Sequence, residues 1–539
     1  MKVLGISGSE RHGAAALTID GIVVAAAAEE SFARIPHVGY RFTGGFPHAS
    51  VEACLSRAGL DGSAIDRVVV VDDASAATGV FGDIPACDAS RGVQTLPRES
   101  IAPALADARQ VGAVARDEDL PVLVVGDGCL QSVCFRRRGG ELAESGEGAL
   151  LRPLLEATSQ MAQACGLGRS TRYRDVEQLG SQWHGDDPRQ FDDAIGWDPA
   201  RGIVVDEAKF ARALVPLSAA VDPVERAVNV RGQQERQAAA WSFCSRAAAM
   251  VSTAIEHVRT LAPGSTRVGL AGSLFGSPGL LAVLKSAFGD GVVVAPVPEP
   301  VGRAMGAALD RPKGSAIASL ALGPDYSEPD IKLALENCRL DYLYEPDWDR
   351  LLSRVSRLLA RGSVVGWFQG AAAFGPRSLG TRSTLCDPSN RYARENMNRF
   401  LRKVPLDEPL PVMMTPAAAA RCLSPHSTSS FHIVDARIGA DWNDKLRAGV
   451  GRPLTVPVSV VTAEQSPITT RLLEYHERTG VPGLINTPLC GPNEPAACTP
   501  RDAIRTVFSS AIDALVVGRF LLMKDYWLLR SSAESEEAV

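Results

Sequence analysis

The opening thirty residues limit what this chain can fold into more than any other stretch. Three apolar runs, Val3–Ile6, Ala14–Ile19 and Ile22–Ala28, are separated by a Gly/Ser loop from Ser7 to Gly13 and by Asp20-Gly21. Asp-Gly between strand-like runs is a strong hairpin signal, because the tight turn needs positive φ at both central positions. The start reads as a β-meander. A helix follows around Ser50–Ala58, then strand Val68–Val71, then strand Val122–Val125, which ends on Gly126-Asp127-Gly128. From residue 150 to 260 the pattern is helical, with one long helix from about Gln233 to Leu261. Strand Val268–Leu270 runs into the small-residue loop Ala271–Ser277, and a helix continues to Phe288.

Composition shifts at Arg311–Pro329, where Pro312, Gly314 and Pro324 break the pattern, so a boundary is expected there between residues 1–311 and 329–530. Beyond it come helix Trp348–Arg361, strand Val364–Phe368, a glycine-bearing loop to Ser383 and helix Arg391–Lys403. Strand Leu454–Val461, helix Thr469–Thr479, strand Val481–Thr487 and helix Pro500–Phe508, capped by Thr499, complete the series. Strands alternating with helices on both sides argue for α/β throughout. No internal repeat is visible. At 539 residues the chain exceeds one compact domain.

Composition narrows the function. A formal net charge of −6 argues against a nucleic-acid or anionic-membrane binder, whose affinity rests on surplus Lys and Arg. The 8 lysines among 56 basic residues look like the codon bias of a GC-rich bacterial genome. Eleven cysteines without a CxxC pair read as reduced thiols. No apolar run nears membrane-spanning length and no leader-like segment opens the chain, so a cytoplasmic location is expected.

Two runs carry the chemistry. The first extends from Gly366-Trp-Phe-Gln-Gly370 through Phe374-Gly-Pro-Arg-Ser-Leu-Gly380 to Arg382-Ser383 and Asp387-Pro388. Its glycines allow close backbone approach to a ligand, and Arg377 and Arg382 offer forked donors for phosphate or carboxylate; surface ion pairs explain such arginines equally well. The second is Leu484-Ile-Asn-Thr-Pro-Leu-Cys490, followed by Glu494-Pro495 and Cys498-Thr499-Pro500. His12 in the first loop and Asp127 at a strand end are candidate bases. Glu29, Glu30 and Arg34 read equally as a site cluster or a solvated one, and Arg136–Arg138 as a solvated turn. Cys129 and Cys134 read as free core thiols. Cys490 has no histidine near it in sequence to act as a base.

Together these runs resemble the NodU/CmcH type of O-carbamoyltransferase of antibiotic and nodulation-factor biosynthesis. Gly5-Ile-Ser-Gly8, His12, Asp20-Gly21 and Ala28-Glu29-Glu30-Ser-Phe-Ala-Arg34, with Pro298, Gly302 and Gly306-Ala-Ala-Leu309, carry the likeness through the first part. The resemblance implies a large actin-like (sugar-kinase-type) N-terminal domain and a smaller YrdC-like α/β C-terminal domain. It implies that carbamoyl phosphate and ATP give carbamoyl-adenylate in the second domain, and that a hydroxyl or amine of a natural-product intermediate takes the carbamoyl group in the first. Arg377, Arg382, Ser383, Arg402, Asn486 and Thr487 would hold phosphates and carbamoyl group, with His12 or Asp127 as residual base. A homo-oligomer or a partner enzyme is compatible with this reading.

The departures from the family are specific. Its His-His-x-x-His-Ala stretch, two of whose histidines hold a metal, corresponds to Arg98–Ala108, which has no histidine. Read as one helix, that segment would put Glu99 and Asp107 roughly 12 Å apart, too far to share an ion. The third metal ligand falls at about Pro300 or Val301, with Glu299 the nearest carboxylate. No family-type metal site is therefore expected. Gly272–Ser277 lacks the family's asparagine, Glu177 stands near an expected lysine, and Asn486–Cys490 loses a serine and a second amide. Arg402 keeps one cation of the phosphate site, whereas Val404 and Glu408 replace two others, and Glu408 is expected to oppose polyphosphate. These losses keep open an inactive paralogue acting as a scaffold, or a repurposed acyl-transfer or condensation enzyme.

Overall fold

The computed structural model describes residues 1–71, 98–115, 120–126, 131–138, 141–145, 150–167, 172–183, 185–218, 230–262, 264–309, 316–406, 408–424, 428–449 and 455–524. The opening meander forms as the sequence dictates: β1 (Lys2–Ser7), β2 (Ala14–Ile19) and β3 (Ile22–Ala28) pair antiparallel. At the turn Asp20 has φ 51° and Gly21 φ 82°, the left-handed pair that Asp-Gly tolerates. β4 (Arg67–Val71) joins β1 in parallel and β5 (Arg98–Ile101) joins β4, giving the order β3-β2-β1-β4-β5.

A second sheet repeats this plan. β6 (Leu120–Gly126), β7 (Gln131–Arg138) and β8 (Glu141–Ser145) form another antiparallel meander. β9 (Val268–Ala271) then lies parallel to β6, and β10 (Val292–Val294) parallel to β9. The order β8-β7-β6-β9-β10 is that of the first sheet, strand for strand. The first part is thus a topological duplication, the actin-like architecture, although no sequence repeat betrays it. Arg136–Arg138, expected as a turn, is the end of strand β7.

The duplication places two helices, Pro103–Val114 and Arg303–Ala308, between the sheets. Glycine permits their approach. A Cβ on Gly306 would lie 1.8 Å from the Ala106 carbonyl, and one on Gly5 2.1 Å from the Ala304 carbonyl. The expected single helix over residues 98–108 is not formed: Glu99 lies on β5, and the helix begins only at Pro103. The pre-proline residue Ala102 is extended, as the ring of Pro103 demands.

The remaining strands form one nine-stranded mixed sheet. Its middle is β11 (Val365–Phe368), antiparallel to β12 (Arg382–Cys386), which pairs in turn with β13 (Leu484–Pro488). One face buries Trp367 under Leu351, Leu352, Val355 and Leu359 of helix Trp348–Ala360 and Leu472 and Leu473 of helix Pro467–Glu477. The other face packs Phe368, Met397, Ala503, Ile504 and Val507. The expected helix 391–403 is a wide π-type turn at Glu395–Arg402, ended by Lys403 at φ 57°. Helix Pro500–Phe508 carries the foreseen Thr499 cap, reciprocated by Asp502.

The composition shift is not a free tether. Val23 and Ala26 of β3 donate to the Ala316 and Leu322 carbonyls, and Gly323 and Phe374 bond to Ala372 and Leu320. Ala316, Ile317, Leu320 and Leu322 share a core with Ala14, Ala16, Phe374 and Leu379, fastening the first sheet to the FGPRSLG loop.

Candidate functional site

The β1–β2 loop, the end of β6 and the two central helices converge on a cationic cluster. His12, at φ 59° in that loop, accepts a hydrogen bond at Nε2 from the Arg172 guanidinium at 3.1 Å, and its ring centroid lies 4.6 Å from that of His37. Since a guanidinium only donates, His12 carries its own proton on Nδ1. Burial, reinforced by His37, Arg172, Arg11 and Arg303, pushes the His12 pKa down to about 3. An imidazole so weakly basic is a poor general base at neutral pH, so His12 serves the cluster as a neutral acceptor, not as the expected catalytic base. Asp127 lies outside the described residues. The Arg303 Nε contacts Asp107 Oδ2 at 3.1 Å, joining the two central helices, with both side chains largely buried. A Cβ on Gly126 would sit 3.5 Å from Arg303 Nη2, which brings that guanidinium to the end of β6.

The residues here do not fit the family's metal. Among the described residues no three His, Cys, Asp or Glu side chains gather in a ligand-like group. Asp107 is engaged by Arg303, and Glu299 lies 3.7 Å from Arg377. A cation thus already faces both Asp107 and Glu299.

A second cluster spans the junction between the nine-stranded sheet and the actin-like part. Arg377 of the FGPRSLG run reaches across: its Nη2 donates to the Gly276 carbonyl at 2.9 Å and faces Glu299. Burial lowers its pKa to about 10, so it remains a cation at neutral pH. Beside it Glu177, where a lysine was expected, accepts from the Ser277 hydroxyl and from the Leu280 N–H at 2.7 Å, at the start of helix Pro278–Phe288. Burial raises its pKa. Asp435, on the strand Val434–Arg437, approaches the same helix start, since a Cβ on Gly279 would lie 2.8 Å from Glu177 Oε1 and 3.4 Å from Asp435 Oδ2. Burial first, then the charge of Glu177, pushes the Asp435 pKa up to about 7. His432 Nε2 meets the Ala295 carbonyl at 2.8 Å across the same junction.

The structure separates the six expected phosphate and carbamoyl contacts. By register, Ser383 and Asn486 lie on one face of the sheet and Arg382 and Thr487 on the other. On the first face Ser378 Oγ donates to Asn486 Oδ1 at 2.9 Å and Ser383 Oγ to Ser378 Oγ at 3.2 Å. This polar node is buried beside Arg377. On the second face Thr487 Oγ1 is buried without a hydrogen-bond partner among the described residues. Arg382 is a structural cation: it donates to the Gln369, Thr381 and Pro324 carbonyls and stacks 3.6 Å over Phe368. Arg402 donates to Asn398 at 2.8 Å and to Glu408 at 2.7 Å. The charge reversal at 408 thus closes an internal ion pair on the one cation that the phosphate site kept.

Other expectations resolve more simply. Glu29 is buried, accepting from the Ser50 N–H at 2.9 Å, and Arg34 grips the Ala496 and Pro495 carbonyls at 2.6 and 2.8 Å; neither is solvated. Burial raises the Cys490 pKa to about 11, which removes it as a thiolate nucleophile at neutral pH. Cys134 is a buried free thiol, and Cys129 lies outside the described residues. An open groove of about 480 Å³ runs between β3, the 318–325 segment and the loops at Gln369–Ala371 and Glu464–Ile468. No helix among the described residues is long and apolar enough to cross a membrane.

Residues 356–524 match the carbamoyltransferase C-terminus family. The nodulation protein NolO of Bradyrhizobium diazoefficiens is 29% identical over 275 residues, 49% of this chain and 50% of that protein. Over these stretches the chain is similar to the carbamoyltransferase C-terminus family and to a nodulation protein. An uncharacterized Synechocystis protein, sll1178, is 31% identical over 237 residues, covering 39% of this chain and 38% of its own. The chain thus spans half or less of the length of these curated relatives. Among solved structures, full-length HypF in a phosphate- and nucleotide-bound form is similar at 12% identity and TM-score 0.36, over 57% of this chain and 46% of that one.

Proposed function

We propose that this chain is an ATP-dependent carbamoyltransferase that works without the family metal. Carbamoyl phosphate would be hydrolysed to carbamate and phosphate, with water supplying the oxygen. A carbamate oxygen would then attack the α-phosphorus of ATP, expelling pyrophosphate and leaving carbamoyl-adenylate. An acceptor hydroxyl or amine, on a small natural-product intermediate, attacks the carbamoyl carbon; AMP leaves and the acceptor's proton passes to solvent. Adenylation makes carbamate a reactive acyl donor, and exclusion of water protects it in transit.

The observation that carries this reading is the family match over 356–524, which contains Arg377, Ser378, Ser383, Arg402 and Asn486. Arg377, Ser378 and Asn486 would orient the carbamoyl and phosphate groups beside the junction, where Arg377 already faces the actin-like part. One observation favours a second reading, an inactive or repurposed relative: Glu408 neutralises Arg402. Purified protein incubated with ATP and carbamoyl phosphate separates the two. Carbamoyl-adenylate, AMP and pyrophosphate detected by mass spectrometry support carbamoyl activation. No nucleotide turnover and no calorimetric binding of either compound would leave the scaffold.

A further inference from the structure

One arginine of the actin-like part is committed wholly to a loop beyond the junction. Arg34 follows the short helix Glu29–Ala33 and closes it from the left-handed region, φ 58°, with its N–H on the Glu30 carbonyl at 3.0 Å. That region is strained for a residue with a side chain, and it persists where the surroundings over-determine it. The stalk beneath is fixed. His37 also lies at positive φ, and the His37 and Val38 carbonyls accept from the His12 and Gly13 N–H groups of the β1–β2 loop at 3.0 and 2.8 Å. From this stalk the Arg34 guanidinium, 16% exposed, crosses to the nine-stranded sheet. Nη1 donates to the Ala496 carbonyl and Nη2 to that of Pro495, while Nη2 lies 3.5 Å from Glu494 and Nε 3.7 Å from Asp502.

These four acceptors belong to the loop that leaves β13 and to the first turn of helix Pro500–Phe508. The loop is closed at its base, where the Leu489 N–H donates to the Arg382 carbonyl at 2.9 Å and the Ala497 N–H to the Leu489 carbonyl at 2.8 Å. Its outgoing arm is Asn486–Cys490, on which the resemblance puts ligand contacts; its returning arm is the one Arg34 holds. Arg34 and Arg402 both act on the Cys490 thiol, which brings both guanidiniums to the loop. Asp502 turns its Oδ2 to the Cys498 and Thr499 N–H groups and its Oδ1 to Arg34. Without Arg34, two backbone carbonyls would lose their donor beside two carboxylates that repel each other.

We infer that Arg34 is a positioning residue for anion binding by the nine-stranded sheet: it fixes the 489–499 loop, and so holds the Asn486–Cys490 arm in its ligand-facing form. The ligand rests on the proposed function; the consequence is that phosphate binding by one part of the chain depends on a side chain of the other. A point charge would not suffice, because an ammonium lacks the planar fork that spans two carbonyls and two carboxylates at once.

The test uses the full chain and inorganic phosphate. Amide hydrogen exchange over residues 489–499 and the calorimetric Kd for phosphate are read in wild type, Arg34→Ala, Arg34→Lys and Arg505→Ala. We expect Arg34→Ala to speed exchange in the loop about tenfold or more and to weaken phosphate about fivefold or more. Arg34→Lys keeps the charge but should still exchange faster and bind more weakly, each by about threefold or more. Arg505 reaches Glu494 from the exposed side at 2.9 Å. Its removal should move both readings by less than about twofold. Circular dichroism reports folding; if Arg34→Ala does not fold, the lysine variant decides, and wild-type exchange and affinity there overturn the inference. No phosphate binding by the wild type, unchanged exchange in folded Arg34→Ala, or full affinity with a loosened loop would each overturn it too. Arg34-dependent phosphate binding in a protein that shows no turnover of ATP and carbamoyl phosphate would leave this inference standing while sinking the carbamoyl-transfer reading. Turnover by Arg34→Ala at an unchanged KM for carbamoyl phosphate would do the reverse.

Discussion

Asp435→Asn should stabilise the protein, and by an amount that grows with pH. Asp435 is half-buried beside Glu177 at the junction, and its folded pKa is raised from 3.8 to about 7. A carboxyl whose folded pKa is raised binds its proton more tightly folded than unfolded. The folded state therefore loses stability as pH climbs from the unfolded value near 4 to about 7, and the loss is constant above that. Three pKa units at about 1.4 kcal/mol each put the full penalty at about 4 kcal/mol near pH 8 and about 2 kcal/mol near pH 5. Asparagine keeps the shape and has no charge to desolvate. The variant should thus exceed wild type by a few kcal/mol at pH 8, and that advantage should shrink by about half at pH 5. Urea midpoints of both proteins from pH 5 to 8 read this directly, compared at the transition that reports the junction. A variant less stable than wild type at pH 8, or a difference that does not vary with pH, would refute an unfavourably buried Asp435 charge.

Three further outcomes follow from the same geometry. Glu408→Gln releases Arg402 from its ion pair and should tighten inorganic phosphate binding about fivefold or more by calorimetry, the effect of removing one nearby negative charge at moderate screening; unchanged or weaker binding would show that the pair does not compete with ligand. Arg382→Lys surrenders forked donation to three carbonyls and the stack on Phe368, and should cost about 2–4 kcal/mol in chemical denaturation. Gly306→Ala drives a methyl into the Ala106 carbonyl and should lose about 3 kcal/mol or more, or fail to fold; tolerance of alanine at a normal melting temperature would contradict the close packing of the central helices.

What the sequence disclosed, and what it hid, divides along physical lines. β2 and β3 were legible to the residue because short runs of small apolar residues and an Asp-Gly turn are local signals, and so was the Thr499-capped helix. The second meander was not, because β7 ends in three arginines, which read as a turn when the partner strands are unknown. The duplication lies in strand order alone, which leaves no periodic trace in residue types. Arg382 and Arg377 look alike in sequence, both arginines in one glycine-bearing run; the pleat turns one onto Phe368 and carbonyls, while the loop sends the other across the junction. Glu408 was read as a repulsive neighbour of phosphate, and only the wide turn over 395–402 shows that Arg402 is its partner. Arg303 gave no signal: its partner Asp107 is 196 residues away in sequence.

The central claim, that carbamate is adenylated here, is tested most directly by exchange of labelled pyrophosphate into ATP. The account predicts label in ATP when carbamoyl phosphate is present, with magnesium only as the nucleotide's counter-ion, and none when it is omitted. Exchange that ignores carbamoyl phosphate, or no exchange from folded protein at saturating ATP, would contradict it.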